Sequence, residues 1–200
     1  MRSRELPIEG AWEFEPTVFP DDRGHFVAPF QAEALVAAVG HPLTVAQTNH
    51  SESRRGVVRG VHFADVPPGQ AKYVYCARGS LLDVVVDVRF GSPTFGRHEA
   101  VLLESRRGNA VYLSEGLGHA FVALDDDTAM VYLCSTGYHP AGERGVNPLD
   151  PELALPWPSG LDLVLSEKDR DAPSLAQAHA DGLLPSFPDC QEFRAGLRAN

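Results

Sequence analysis

LLDVVVDVRF, residues 81–90, alternates with a period of two: Leu82, Val84, Val86 and Val88 fall on one face, and Asp83, Val85, Asp87 and Arg89 on the other. Alternation of this kind is the mark of a β-strand, and carboxylates on one side only predict an antiparallel strand with one wet face. Runs of the same character surround it: AKYVYCARG (71–79), EAVLLESRRG (99–108), NAVYLSEGLG (109–118) and AFVALDDDTAMVYLCSTG (120–137), each β-rich and bounded by Gly, Asp or Ser. The triplet Asp125–Asp127 reads as a hairpin tip. Helices are expected at QAEALVAAVG (31–40), with Gly40 at the C-cap, and at DAPSLAQAHADG (171–182), with Pro173 near the start and Gly182 past the end. Many short strands with a few peripheral helices predict an all-β sandwich or barrel of jelly-roll type.

A chain of 200 residues fits one domain over 1–200, with a core at about 7–173 and a C-terminal helical tail at about 174–200. The last fifteen or so residues are expected to pack loosely. No apolar run is long enough to cross a bilayer and MRSRELPIEG lacks a signal-peptide core, so a cytoplasmic protein with no membrane contact is expected. Three widely spaced cysteines, Cys76, Cys134 and Cys190, fit neither a disulfide framework nor a zinc ribbon, and read as reduced, buried thiols. A net charge of -10 argues against nucleic acid as a partner, because phosphate binding needs clustered Lys and Arg. An anionic ligand would need a local basic focus.

Polar residues interrupt the strand patterns at Arg59 and His62 of RGVVRGVHF (55–63), Lys72 of GQAKYV, His119 of EGLGHAF and Tyr132 of MVYLC. Leaving such groups unpaired in a dry core costs several kcal/mol, so they are expected to converge on a cavity. Arg59 and His62 have opposite parity, and both reach one cavity only if the strand bulges near Gly60 or ends at a rim. Taken alone, His62 also fits a hydrogen-bonded core histidine, Tyr132 an ordinary barrel aromatic, and Lys72 and Lys168 solvated lysines. Asp169 lies three residues after Ser166 and fits a helix cap. His25, His41, His50, His98, His139 and His179 read as surface or packing residues.

DDRGHF, QTNHS, RGVVRGVHF, PPGQAKYVYCARGSLLDVVVDVRFGSPTFG, GLGHAFVAL, VYLCSTGY and LSEKD, in that order from about Pro7 to Pro173, together resemble the dTDP-4-dehydrorhamnose 3,5-epimerase family, in its natural-product deoxysugar branch. The resemblance implies a cupin-like jelly roll, a homodimer exchanging N-terminal strands, and neither metal nor redox cofactor. It implies inversion of C5 and/or C3 of a dTDP-4-keto-6-deoxyhexose through an enolate, with His62 as base, Asp169 orienting it, Lys72 steadying the enolate oxygen and Tyr132 as acid. Arg23, Gln47, Asn49, Arg59, His119, Glu143 and Lys168 match positions holding the nucleotide diphosphate and sugar, and Tyr138 matches the aromatic that stacks on thymine.

The chain departs from the family pattern at Ala28–Pro29, where an acidic residue is usual, at Ser114–Gly116 before His119, and at VNPLDP (146–151). These departures leave the sugar and the number of inverted centres open. Three other readings remain: a metal-dependent cupin, though His62 is followed by Phe63 and Ala64 rather than forming an H-x-H pair; a non-catalytic sugar-binding cupin; and a nucleotide-sugar ketoisomerase.

Overall fold

The structure, a computed structural model, describes residues 1–199. Its strands are β1 (Arg2–Glu5), β2 (Ala11–Glu15), β3 (Val18–Asp21), β4 (Gly24–Val27), β5 (Gln47–Ser53), β6 (Val58–Ala64), β7 (Lys72–Arg78), β8 (Ser80–Val86), β9 (His98–Glu104), β10 (Ala110–Leu113), β11 (Gly118–Ala123), β12 (Thr128–Cys134) and β13 (Glu143–Gly145). Helices are α1 (Ala32–Val39), α2 (Glu167–Arg170), α3 (Leu175–Ala180) and α4 (Phe187–Ala199). One antiparallel sheet runs β1-β2-β10-β7-β12-β5 and the other β13-β6-β11-β8-β9, while β3 and β4 form a separate hairpin. The two sheets face each other over Val74, Leu81, Val85, Leu103, Val111, Phe121 and Met130, which is the jelly-roll arrangement the strand spacing predicts.

Both outer faces are covered as well. Leu35 and Val39 of α1 pack on Phe14, Tyr73 and Tyr112 of the six-stranded sheet. The segment from Val146 to Leu184 covers Val61, Phe63, Val84, Val86 and Val88 of the five-stranded sheet. Each such aliphatic side chain contributes roughly 1.5–3 kcal/mol when taken fully out of water. This cover overturns the expectation of a wet face in residues 81–90. Asp83, Val85, Asp87 and Arg89 are fully buried, because their face is the interior of the barrel and the opposite face lies under the C-terminal segment. The charges are kept dry by pairing: Asp87 accepts from Arg89 Nε at 2.8 Å, from Ser92 Oγ and from Thr94 Oγ1, and Asp83 pairs with His119.

The tail also differs from expectation. α4 is well packed, with Cys190 and Arg194 buried, Arg194 bonded to Glu9, and Arg198 Nε donating to Val39 O at 3.1 Å. Its partners lie at the other end of the chain, out of reach of a local reading. α1 ends at Gly40 in the left-handed conformation (φ 92°), as the sequence predicts, and α3 is capped by Ser174, whose hydroxyl accepts from the Gln177 N–H. Asp125–Asp127 form the tip between β11 and β12, and Cys76, Cys134 and Cys190 are buried free thiols. Among the described residues no helix is long and apolar enough to cross a membrane.

Candidate active site

A cleft of about 300 Å³ opens where the β5 edge of one sheet faces the β6–β13 edge of the other. Period two brings Gln47, Asn49 and Ser51 to it from β5, and Tyr132 and Cys134 from β12. β6 supplies Arg59 and His62, β7 supplies Lys72 with Gln70 just before it, and Tyr138, Glu143 and Lys168 complete the rim. Arg59, Lys72 and Lys168 face a single lining carboxylate, Glu143, so the acidic protein does contain a basic focus.

The parity conflict in β6 is resolved by a bulge. Arg59 pairs with Phe121 and His62 with His119, so two residues, Gly60 and Val61, stand opposite Ala120 alone. Gly60 has φ 117°, and a Cβ there would sit 2.4 Å from the His119 carbonyl oxygen, so only glycine fits. Both side chains thereby reach one cleft.

His62 Nε2 lies 2.6 Å from Asp169 Oδ1. Asp169 is the third residue of α2, with its backbone N–H donating to the hydroxyl of the N-cap Ser166, so it sits in the capped turn while its carboxylate meets the imidazole. Burial pushes its carboxyl up, but the hydrogen bond and charge of His62, with Ser166 and the Gly60 N–H, hold it below the usual carboxylate value. A proton on Nε2, shared with that carboxylate, leaves Nδ1 as the free lone pair.

Tyr132 comes from the facing sheet. Burial raises its phenol to about 12, with the Ser51 hydroxyl and the Arg59 charge pulling the other way. Ser51 Oγ lies 3.4 Å from the phenol oxygen, and the His119 ring meets the Tyr132 ring edge-on at 5.9 Å. The Lys72 side chain makes no hydrogen bond or ion pair among the described residues, and burial pushes its ammonium below the usual lysine value despite the pull of Cys134, Glu143 and Asp83. An unmatched cation so placed favours an anionic ligand.

The remaining expected residues fall as follows. Gln47 Nε2 donates to Asn49 Oδ1 at 2.6 Å and its Oε1 accepts from the Tyr138 backbone N–H at 2.9 Å, which ties the exposed Tyr138 ring to the rim. Arg59 is steadied by Ser53 Oγ and the Glu52 carbonyl. His119 is not at the cleft surface: it is buried beneath Tyr132 with Nε2 2.6 Å from Asp83 Oδ1. Arg23 lies outside the cleft, at the β3–β4 turn, with its side chain 90% exposed and paired with Asp21. Among the described residues no group of three or more His, Cys, Asp or Glu side chains is placed to hold a metal ion.

Four residues of the site escaped the sequence reading. Ser51 and Cys134 share the parity of Asn49 and Tyr132, and Gln70 that of Lys72, so extending each alternation by one step finds them. Asp83 was visible only as a charge on a face read as wet.

The architecture and the cleft define a cupin-like barrel whose mouth carries a histidine–carboxylate pair, a facing phenol and a basic lining. The model of the dTDP-4-dehydrorhamnose 3,5-epimerase family matches residues 5–177. A dTDP-4-dehydrorhamnose 3,5-epimerase of Mycolicibacterium smegmatis is 52% identical over 200 residues, covering 100% of this chain and 98% of that one. Among solved structures, the Mycobacterium tuberculosis rmlC epimerase superposes with a TM-score of 0.96 at 47% identity, covering 99% of this chain and 100% of that one. ChmJ, a 3'-monoepimerase from Streptomyces bikiniensis in complex with dTDP-quinovose, gives 0.95 at 51% identity, with 98% of each chain covered. The chain belongs to the dTDP-4-dehydrorhamnose 3,5-epimerase family, and it is a carbohydrate epimerase.

Proposed function

We propose that the protein inverts C3, C5 or both in a dTDP-4-keto-6-deoxyhexose, for deoxysugar biosynthesis. The observation that carries this reading is the placement of His62, held by Asp169, and Tyr132 on facing sheets around one cleft. The C4 carbonyl acidifies the protons at C3 and C5. His62 Nδ1 removes one, and the imidazolium is stabilised by the Asp169 carboxylate. Negative charge develops on the C4 oxygen, where the Lys72 ammonium is attracted to it. Tyr132, whose raised pKa keeps it protonated at neutral pH, returns a proton to the carbon from the other side. Arg59, Lys168, Gln47, Asn49 and Glu143 hold the sugar and diphosphate, Tyr138 stacks on the base, and buried His119 supports Tyr132 from below.

The active form in this reading is a homodimer with exchanged N-terminal strands. Phe19 and Phe26 pair across the β3–β4 hairpin and are 58% and 68% exposed, a pair of rings that a second copy would cover. Arg23, at the turn of that hairpin, would then enter the other copy's cleft and meet the diphosphate.

The test is incubation with dTDP-4-keto-6-deoxyglucose in deuterated water. The expected result is deuterium at C3, C5 or both, with inversion at the labelled centre and the carbonyl still at C4. The departures at Ala28 and Ser114–Gly116 favour one dominant centre. Movement of the carbonyl would overturn the proposed reaction, and absence of exchange would overturn the choice of this sugar as substrate.

A further inference from the structure

Tyr132 and Ser51 hold a relation that the epimerisation itself does not require. Each turnover in the reading above leaves the tyrosine as a phenolate and the histidine as an imidazolium, so the phenol must regain a proton before it acts again. Among the described residues, Ser51 is the one side chain within hydrogen-bond reach of the Tyr132 hydroxyl, at 3.4 Å, and the Ser51 hydroxyl has no other partner. The neighbouring amides on the same face of β5 are engaged: Gln47 with Asn49 and the Tyr138 backbone, Asn49 with Cys134 Sγ at 3.8 Å. The ring of Tyr132 is closed off on another side by His119, whose Nε2 is committed to Asp83. Ser51 itself is half-buried and lines the cleft, so one side of it meets the phenol and the other meets solvent. A separation of 3.4 Å is long for a bond between hydroxyls, and such contacts tighten when substrate is bound.

We propose that Ser51 is a proton relay that reloads Tyr132 between turnovers, a role that rests on Tyr132 being the acid. The Ser51 Oγ–H passes its proton to the phenolate oxygen while Oγ takes one from water, and the His62 imidazolium gives its proton up to water. Protons balance over the cycle and no other reactant is consumed. Tyr132 is half-buried with its ring against His119, and Ser51 Oγ is the one side-chain hydroxyl among the described residues within reach of the phenol oxygen, so the relay puts a proton source directly beside it.

The test compares the first turnover with the steady state in Ser51→Ala. With enzyme in excess over dTDP-4-keto-6-deoxyglucose, inversion in Ser51→Ala is expected to stay within about twofold of the wild type, whereas kcat with excess substrate falls about tenfold. Ser51→Thr, which keeps the hydroxyl, is expected to restore kcat. Small buffer acids such as imidazolium are expected to raise the kcat of Ser51→Ala in proportion to their concentration, which a merely structural role would not produce. An unchanged kcat overturns the proposal, as does an equal fall in first-turnover and steady-state rates without buffer rescue. Neither result touches the assignment of Tyr132 as the acid, which fails only if Tyr132→Phe still inverts the sugar.

Discussion

His62 Nε2 stands 2.6 Å from Asp169 Oδ1, and His119 Nε2 stands 2.6 Å from Asp83 Oδ1. The two histidines are direct neighbours in register on β6 and β11. They differ in setting. The His62 side chain is 35% exposed and opens into the cleft, while that of His119 is 5% exposed and Asp83 is sealed completely. The same imidazole–carboxylate bond therefore serves two ends. In the proposed mechanism the pair whose ring nitrogen faces the cleft is a base with its orienting partner, whereas the pair with both residues closed in satisfies buried polarity and supports the tyrosine above it. Access, rather than the hydrogen bond, separates them.

Removing each histidine in turn separates the two pairs. His62→Ala is expected to lower deuterium exchange into dTDP-4-keto-6-deoxyglucose by about a hundredfold or more, since positioned general bases contribute about 10²–10⁴-fold. dTDP affinity by calorimetry should stay close to wild type, because His62 lies at the cleft surface, and the urea midpoint should shift only slightly, because the Asp169 carboxylate keeps its hydrogen bonds from Ser166 and the Gly60 N–H. Exchange above about a hundredth of the wild-type rate would remove His62 from the role of base.

An effect of comparable size, on a different observable, is expected of His119→Ala. It leaves both Asp83 oxygens buried without a partner, and breaking a buried pair from one side costs about 3–5 kcal/mol of stability when the survivor keeps its charge. Urea unfolding of His119→Ala should show a loss of that order, against under about 1 kcal/mol for His62→Ala. Equal losses in the two variants would show that exposure does not divide the pairs as described.

The contrast also shows what a sequence carries. His62, Asp169, Lys72 and Tyr132 could be found because they stand in motifs whose order alone identifies the family, and the structure brings all four to one site. The bulge was legible as a parity conflict around Gly60, since a two-residue period makes such a conflict visible. The Asp83–His119 pair was not legible. An aspartate on an alternating strand looks the same whether its face meets water or a buried partner, and the partner is 36 residues away. The same limit hid the packing of α4, whose buried arginine is neutralised by Glu9 near the other terminus. Arg23 was singled out by motif, yet its place at the exposed hairpin tip, outside the cleft, depends on pairing between β3 and β4 that no local pattern fixes.

In the proposed mechanism the open histidine and the facing tyrosine divide one inversion between them, and Tyr132→Phe separates their parts. In deuterated water with dTDP-4-keto-6-deoxyglucose, NMR would follow label and configuration at the same carbon. Tyr132→Phe is expected still to exchange the proton attacked by His62, because the imidazolium returns a deuteron to the face it came from, while net inversion falls by about a hundredfold or more. Inversion at the wild-type rate would contradict the account, since another group would then be the acid.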